Sequence, residues 1–157
     1  MRAHYAILSL ATLLLGACTL TEPINTGVRL DQNSTVDVPF VIAATGTYDI
    51  QLQYPRDLTS GRLEEQLQQQ LAGDAILRAG DKHLQWQLPT GWYYVSPFNH
   101  EVSGMVLTRF RGYANTQYIL TLKVTRLPHE LKGVQGVVSV YEVPSYFHPG
   151  HQVYELH

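Results

Sequence analysis

Cys18 is the residue whose position most clearly predicts chemistry, because it is the only cysteine in the chain and directly follows Leu15, Gly16 and Ala17. The chain starts with Met1 and the basic residue Arg2. It continues with an uncharged stretch, residues 5–17, that is rich in leucine and alanine. A positive start, a short apolar stretch and small residues before a cut are typical of a secretory signal peptide. The stretch is also shorter than the ~20 residues that a membrane-spanning helix needs. We therefore expect residues 1–17 to be removed from the mature protein.

The run Leu15-Gly16-Ala17-Cys18 resembles the lipobox of bacterial lipoproteins. The resemblance implies cleavage between Ala17 and Cys18, followed by acylation of the Cys18 thiol and of its new amine, which holds the chain at a membrane. Thr19 follows the anchor, and by the sorting rule of many Gram-negative lipoproteins the absence of Asp there favours the periplasmic side of the outer membrane. The inner membrane stays open. The alternatives to a lipoprotein are an ordinary signal peptide with a chance cysteine and an apolar segment that stays attached.

Length and charge limit the classes of function. A chain of 157 residues, less its signal peptide, is long enough for one domain with a substantial core. Its net charge of −2 gives no electrostatic basis for binding nucleic acid. Because the thiol of Cys18 is expected to carry lipid, no disulfide forms and packing must hold the fold.

Alternation of apolar and polar residues predicts a series of strands. The segments 36–42 and 48–54 both alternate, and the turn at Thr45-Gly46 between them predicts that they form an antiparallel pair. Further strands are predicted over 28–30, 84–88, 92–95, 102–113, 118–124 and 134–143, and the last is expected to be central because it is apolar on both sides. Seven to nine strands without a parallel β-α-β rhythm predict an all-β antiparallel β-sandwich.

Three segments interrupt the strand pattern. Residues 18–27, the acylated Cys18 with a polar stretch containing Pro23, are predicted to be a tether, so that the sandwich domain spans 28–144. Leu63, Leu67 and Leu71 recur at helical spacing and predict one inserted amphipathic helix over about 59–73. Residues 145–157 are interrupted by proline and glycine, and they predict a C-terminal tail that is either loose or packed down on the domain.

Four stretches together carry a second resemblance: residues 38–48 with their Gly-Tyr turn, Leu71-Ala72-Gly73, residues 118–122 and residues 130–134. From about Val28 to Val143 the chain resembles a group of small proteobacterial lipoproteins whose single β-sandwich domain has no known function. That resemblance implies no catalytic residue. In size, anchor and fold the chain is also similar, more loosely, to lipoprotein immunity proteins that protect the periplasm against secreted toxins.

The histidines offer little support for a metal site, and the sequence contains no recognisable catalytic motif. His148 and His151 lie across the Pro149-Gly150 turn and share no helix face, so we interpret them and His157 as exposed tail residues rather than zinc ligands. The chain contains no Gly-x-Ser-x-Gly motif and no glycine-rich phosphate loop. We therefore expect a protein that is not an enzyme and needs no cofactor or metal.

Aspartates leave one metal alternative open. The run Asp31-x-Asn33-x-Thr35 begins like a calcium-binding loop, but Val36 stands where a sharply turning glycine is needed, so a plain turn is the better interpretation. A calcium site assembled from distant residues stays open, and its candidates are Asp31, Asp37, Asp57, Asp74 and Asp81.

The aromatic residues Trp92, Tyr93 and Tyr94 are the most promising binding residues, although Trp86 is expected to face the core with Leu84. Successive strand residues point to opposite faces, so at least one of the three rings is expected to meet solvent and form a binding surface. The alternative is that they simply pack in the core.

These observations predict a membrane-anchored, periplasm-facing binding module with a protein partner, in its sharpest form a protein that neutralises a toxin. Two alternatives stay open: a carbohydrate- or calcium-binding envelope module, and a passive structural lipoprotein of the envelope.

Overall fold

The computed structural model describes residues 22–55, 70–89, 92–94, 102–144 and 152–157. These residues fold into an all-β antiparallel sandwich, as the alternation predicts. The described strands are β1 (Ile24–Arg29), β2 (Ser34–Ile42), β3 (Gly46–Pro55), β4 (Ala72–Ala79), β5 (Lys82–Leu88), β6 (Trp92–Tyr94), β7 (Val102–Gly112), β8 (Thr116–Arg126) and β9 (Gln135–Glu142). A short 3-10 helix, His129–Leu131, lies between β8 and β9.

The strands lie in two sheets that enclose the core. The five-stranded sheet has the order β1-β9-β3-β7-β6, and the four-stranded sheet has the order β2-β8-β4-β5. β9 lies between β1 and β3, which confirms that the strand with apolar residues on both sides is internal to its sheet. The consecutive residues Val138, Ser139 and Val140 are all buried, so both faces of β9 are covered.

The predicted antiparallel pair of β2 and β3 is wrong. β2 pairs with β8, from Ser34 opposite Val124 to Ile42 opposite Thr116, whereas β3 pairs with β7 and β9 in the other sheet. Residues 43–45 carry the chain across, and the backbone N–H of Asn115 donates to the carbonyl of Ile42 at 2.7 Å. Alternation shows which side chains of a strand share a face, but it does not show which strand lies alongside.

Aromatic rings from both sheets pack together in the core. The ring centroid of Phe110 on β7 lies 5.3 Å from that of Tyr118 on β8 and 6.5 Å from that of Phe40 on β2. Tyr48 on β3 lies 6.1 Å from Phe110, and Phe40 stacks on Tyr118 at 5.5 Å. Phe110 is fully buried and touches rings of both sheets. Rings in these tilted and stacked arrangements attract one another beyond their burial.

β1 begins earlier than the sequence pattern suggests. It starts at Ile24, inside the segment predicted to be a tether (18–27), and pairs with β9 from Ile24 opposite Val140 to Arg29 opposite Gln135. Thr26 and Gly27 break the apolar alternation, but the hydrogen-bond ladder to β9 needs no apolar side chain. The first described strand therefore begins six residues after Cys18.

The predicted helix over about 59–73 ends too late in the sequence. Residues 59–69 lie outside the described part of the chain, whereas Ala72 and Gly73 open β4, a strand that the alternation did not reveal. Leu71, the last leucine of the helical stripe, is fully buried in the core. At Gly73 the register with β8 shifts, and a Cβ there would lie 2.0 Å from the backbone oxygen of Lys123. Only glycine fits such a close approach of two backbones.

The described end of the C-terminal tail is packed down, so it is not a loose extension. The backbone of Tyr154 exchanges two 2.9 Å hydrogen bonds with Arg109 and Arg111 on β7. His157 exchanges two more with His83 on β5, at 2.9 and 3.1 Å, and Leu156 is buried in the core. Residues 154–157 therefore connect the edges of the two sheets and close that side of the sandwich.

The buried hydroxyl of Tyr54 allows the packing of the core to be tested through stability measurements. Its ring is buried, its hydroxyl has no hydrogen-bond partner within the described residues, and burial raises its pKa above the usual value of about 10. Because an unpaired buried hydroxyl costs about 1–3 kcal/mol, Tyr54→Phe is expected to raise the free energy of unfolding by about 1 kcal/mol at neutral pH.

Tyr54→Phe should also change how the free energy of unfolding depends on pH in the alkaline range. Above about pH 10 the unfolded chain ionises at Tyr54 while the folded chain keeps it neutral, so wild-type stability falls as pH rises. Urea unfolding of both proteins from pH 8 to 11 measures the difference. Tyr54→Phe should lose less stability over this range, and a variant that is less stable than wild type at pH 7 would contradict the assignment of an unpaired hydroxyl.

Candidate functional site

A polar cluster lies on the outer face of the five-stranded sheet, and we define it as Asp49, Gln51 and Gln53 of β3, Arg109 of β7 and Tyr141 of β9. β3 runs between β7 and β9, and the register places Asp49 opposite Arg109 on one side and opposite Tyr141 on the other. Strand alternation points these side chains away from the core. The outer face is nevertheless buried at its centre, where Asp49 is 2% and Arg109 is 7% exposed.

Asp49 and Arg109 form a buried, two-point ion pair. Nε of Arg109 donates to Oδ1 of Asp49 at 2.6 Å, and Nη2 donates to Oδ2 at 2.8 Å. Parallel hydrogen bonds of this kind are the geometry in which a guanidinium binds a carboxylate most strongly. The hydrogen bonds to Asp49 raise the pKa of Arg109, and they outweigh its burial, which acts in the opposite direction.

The other members extend this pair across three strands. Nε2 of Gln53 donates to Oε1 of Gln51 at 2.7 Å, and Nε2 of Gln51 donates to the hydroxyl of Tyr141. That hydroxyl in turn lies 3.4 Å from Oδ2 of Asp49. The series of donors therefore leads to the buried carboxylate, whose negative charge is stabilised from β7 and β9 together.

This arrangement is suited to holding strands in register rather than to transferring protons. A general base needs a carboxylate lone pair directed at a substrate, whereas both oxygens of Asp49 accept hydrogen bonds from Arg109. One pair further along, the register between β3 and β7 shifts, and Leu107 is the extra residue of the bulge. We interpret the polar cluster as the feature that fixes the alignment of β3 and β7 beside that irregularity.

The structure places the predicted binding residues Trp92, Tyr93 and Tyr94 in β6, at one edge of the five-stranded sheet. Their register partners on β7 are Val106, Met105 and Gly104. The side chains of these three residues lie outside the described part of the structure. Trp86, by contrast, packs against the core from β5, as the alternation predicts.

The aspartates proposed for calcium are distributed over separate parts of the fold. Asp31 belongs to the turn before β2, where its carbonyl accepts a hydrogen bond from Ser34, and this confirms the interpretation of that run as a turn. Asp37 accepts a 2.6 Å hydrogen bond from Thr121 on the outer face of the four-stranded sheet. Asp74 lies in β4, and Asp81 follows it in the turn before β5. Asp57 lies outside the described residues.

The remaining predicted residues fall mostly beyond the described part of the chain. Ala17, Cys18, His148 and His151 are all outside it, and His157 contacts His83 through its backbone. Within the described ranges, no three histidine, aspartate, glutamate or cysteine side chains are grouped so that they could hold a metal ion.

Sequence reasoning missed the polar cluster. Alternation assigned Asp49 and Gln51 to the polar side of a half-buried strand, whereas both are buried. The signal was an aspartate between the apolar residues Tyr48 and Ile50, and an arginine between Thr108 and Phe110. Only knowledge that β3 lies beside β7 turns these two residues into a pair.

Among the described residues, no helix is long and apolar enough to cross a bilayer. Neither the protein-family models nor the curated protein sequences contain a match to this chain.

Proposed function

We propose that this protein is a lipid-anchored, periplasm-facing β-sandwich that binds a protein partner and catalyses no reaction. The observation that carries the proposal is the position of the lipobox-like run ending at Cys18, six residues before the first strand begins at Ile24. Such a spacing suits a folded domain presented directly at a membrane surface. Thr19 favours the outer membrane, and the resemblance to small proteobacterial lipoproteins supports the same account.

The partner is expected to bind at the edge formed by β6. An edge strand presents backbone N–H and C=O groups to which an extended segment of another protein can pair. β6 combines that position with three consecutive aromatic residues, Trp92, Tyr93 and Tyr94, of the types that dominate the energetics of protein interfaces. A secreted toxin that reaches the periplasm is the sharpest form of this partner.

The anchor is tested by mass spectrometry of the protein isolated from membranes of its native host. We expect the mature chain to begin at an acylated Cys18, and we expect Cys18→Ser to move the protein to the soluble fraction. Recovery of the chain with residues 1–17 attached, or with a bare thiol, would refute the anchor.

The binding edge is tested with the acylated protein in nanodiscs, incubated with periplasmic extract of its host and of competing strains. The bound protein is identified, purified and titrated against wild type and the variant Trp92→Ala/Tyr94→Ala. Truncating two interface aromatics should weaken the affinity about tenfold or more. The matched control is Gln85→Ala/Gln87→Ala on β5, the edge of the other sheet, which should bind as wild type does. Equal affinities of all three proteins would refute the assigned edge.

A further inference from the structure

The polypeptide enters the sandwich at one defined end. β1 begins there with Ile24 and runs antiparallel to β9, so the end of β9 at Glu142 lies at the same side. The turns formed by residues 43–45 and 113–115 lie there too, because Gly46 and Gly112 are register partners and Asn115 bonds to Ile42. We call this side the entry end.

Exposed large hydrophobic side chains are concentrated toward the entry end of the described structure. The large hydrophobic residues with exposed fractions of 39% to 55% are Val41, Tyr113, Ile119, Val153 and Tyr154. Val41 and Tyr113 lie at the entry end, and Tyr154 lies beside Phe110, two residues before the end of β7. Val153 and Ile119 each lie about three residues inside the entry end, Val153 beside Arg109 and Ile119 opposite Pro39.

Register and backbone contacts place these residues. Val41 is one residue from the end of β2, and Tyr113 directly follows β7. Tyr154 forms a parallel β-bridge with Phe110, which lies three residues before Tyr113. Val153 directly precedes Tyr154 in the chain. Two tyrosines and one valine, Val41, are therefore exposed at or near the end where the chain enters the domain.

Chain length determines which end of the sandwich is nearer to an acylated Cys18. Ile24 lies six positions after Cys18, and a fully extended chain spans at most about 3.6 Å per residue, or about 20 Å in total. A strand of the length of β9 is itself about 25 Å long. The entry end therefore faces the bilayer, and the turn containing Asp31 points away from it.

Charge at the entry end is mixed. Arg111 and Lys82 contribute positive charge, while Asp81, Glu142 and Glu155 contribute negative charge. An attraction to anionic lipid headgroups has no basis in this balance. Tyrosine, in contrast, is enriched at membrane interfaces because its ring favours the apolar region while its hydroxyl stays hydrated.

We propose that the entry end docks on the lipid bilayer, with Tyr113 and Tyr154 inserted at the headgroup level and Val41 at the same end. This inference rests on the proposed anchor at Cys18, which supplies the proximity. Side chains of this number bind a bilayer only weakly by themselves, and the covalent lipid makes the contact persistent. Docking would hold the sandwich in one orientation and leave the opposite end free.

The test uses the acylated, mature protein reconstituted in zwitterionic vesicles that contain a headgroup-linked fluorescence quencher. A single fluorophore is attached at Ala114→Cys in the entry end or at Gln32→Cys in the opposite turn, since an acylated Cys18 does not react with the label. We expect quenching at position 114 to exceed quenching at position 32 several-fold.

The side chains are tested in the same labelled proteins. Tyr113→Ser/Tyr154→Ser should lower quenching at position 114 several-fold, whereas the control Ile119→Ser should leave it unchanged. Circular dichroism verifies that each variant is folded. Equal quenching at both positions, or no effect of the tyrosine substitutions, would overturn the docking proposal while acylation and membrane recovery still support the anchor. A dependence on anionic lipid or on salt would overturn it too, and a protein that takes no lipid at Cys18 would refute the anchor itself.

Discussion

Replacing Arg109 with methionine is expected to lower the free energy of unfolding by about 3–5 kcal/mol, because the variant leaves the Asp49 carboxylate buried without its partner. Methionine retains much of the volume of the arginine stem, so the loss reports the missing charge and hydrogen bonds rather than a cavity. Urea unfolding of the soluble domain, monitored by circular dichroism, measures the change.

Two further variants define the origin of that loss. Arg111→Met, two residues along the same strand and exposed, should change stability by no more than about 0.5 kcal/mol. The double variant Asp49→Leu/Arg109→Met should recover most of the stability, because it removes both charges from the buried face. If Arg109→Met and Arg111→Met were equally stable, the ion pair would not hold β3 and β7 together as we describe.

Replacing Phe110 with alanine is expected to cost about 3–5 kcal/mol, the range observed when a buried aromatic ring is truncated. The ring is fully buried and contacts Phe40, Tyr48 and Tyr118, so its removal leaves a cavity between the two sheets. Because the backbone around it is held by β3 and by Tyr154, the surroundings have little freedom to fill that space. Thermal and urea unfolding of the soluble domain provide the measurement.

Phe110→Leu is the matched variant for this position. Leucine keeps most of the apolar volume and loses only the ring contacts, so it should cost about 1–1.5 kcal/mol. A loss below about 1 kcal/mol for Phe110→Ala would show that the sheets pack less closely than the ring distances indicate.

Local pattern predicted the faces of strands well. Leu84 and Trp86 on β5 pack toward the core as their alternation indicates, and Leu120 and Leu122 on β8 are fully buried. The reason is geometric, since the period of two is a property of each strand by itself. β4 was missed because its buried residues, Ala75 and Leu77, flank another apolar residue, Ile76, so this short strand shows no apolar–polar alternation.

The local sequence pattern did not show which strands pair with each other. The pairing of β2 with β8 and of β3 with β7 joins residues about 47 to 90 positions apart, and nothing in either segment specifies its neighbour. The burial of Asp49 follows from that pairing and was therefore missed with it. The predicted helix was misjudged at its end for a related reason, because Ala72 and Gly73 follow the ladder with β8 instead of continuing the leucine period.

The pairing of β1 with β9 has a mechanical consequence for a domain attached to a membrane. With the lipid that we propose on Cys18, a pull from the membrane would arrive at Ile24 and act along the axis of β1. Hydrogen bonds between antiparallel strands lie across that axis, so tension shears the six residue pairs of β1 and β9 at the same time instead of peeling them apart one after another. The pairing of β1 with β9 is therefore suited to bear load. A force applied at the opposite end of the sandwich would be shared by all the hydrogen bonds between β1 and β9 before any one of them breaks.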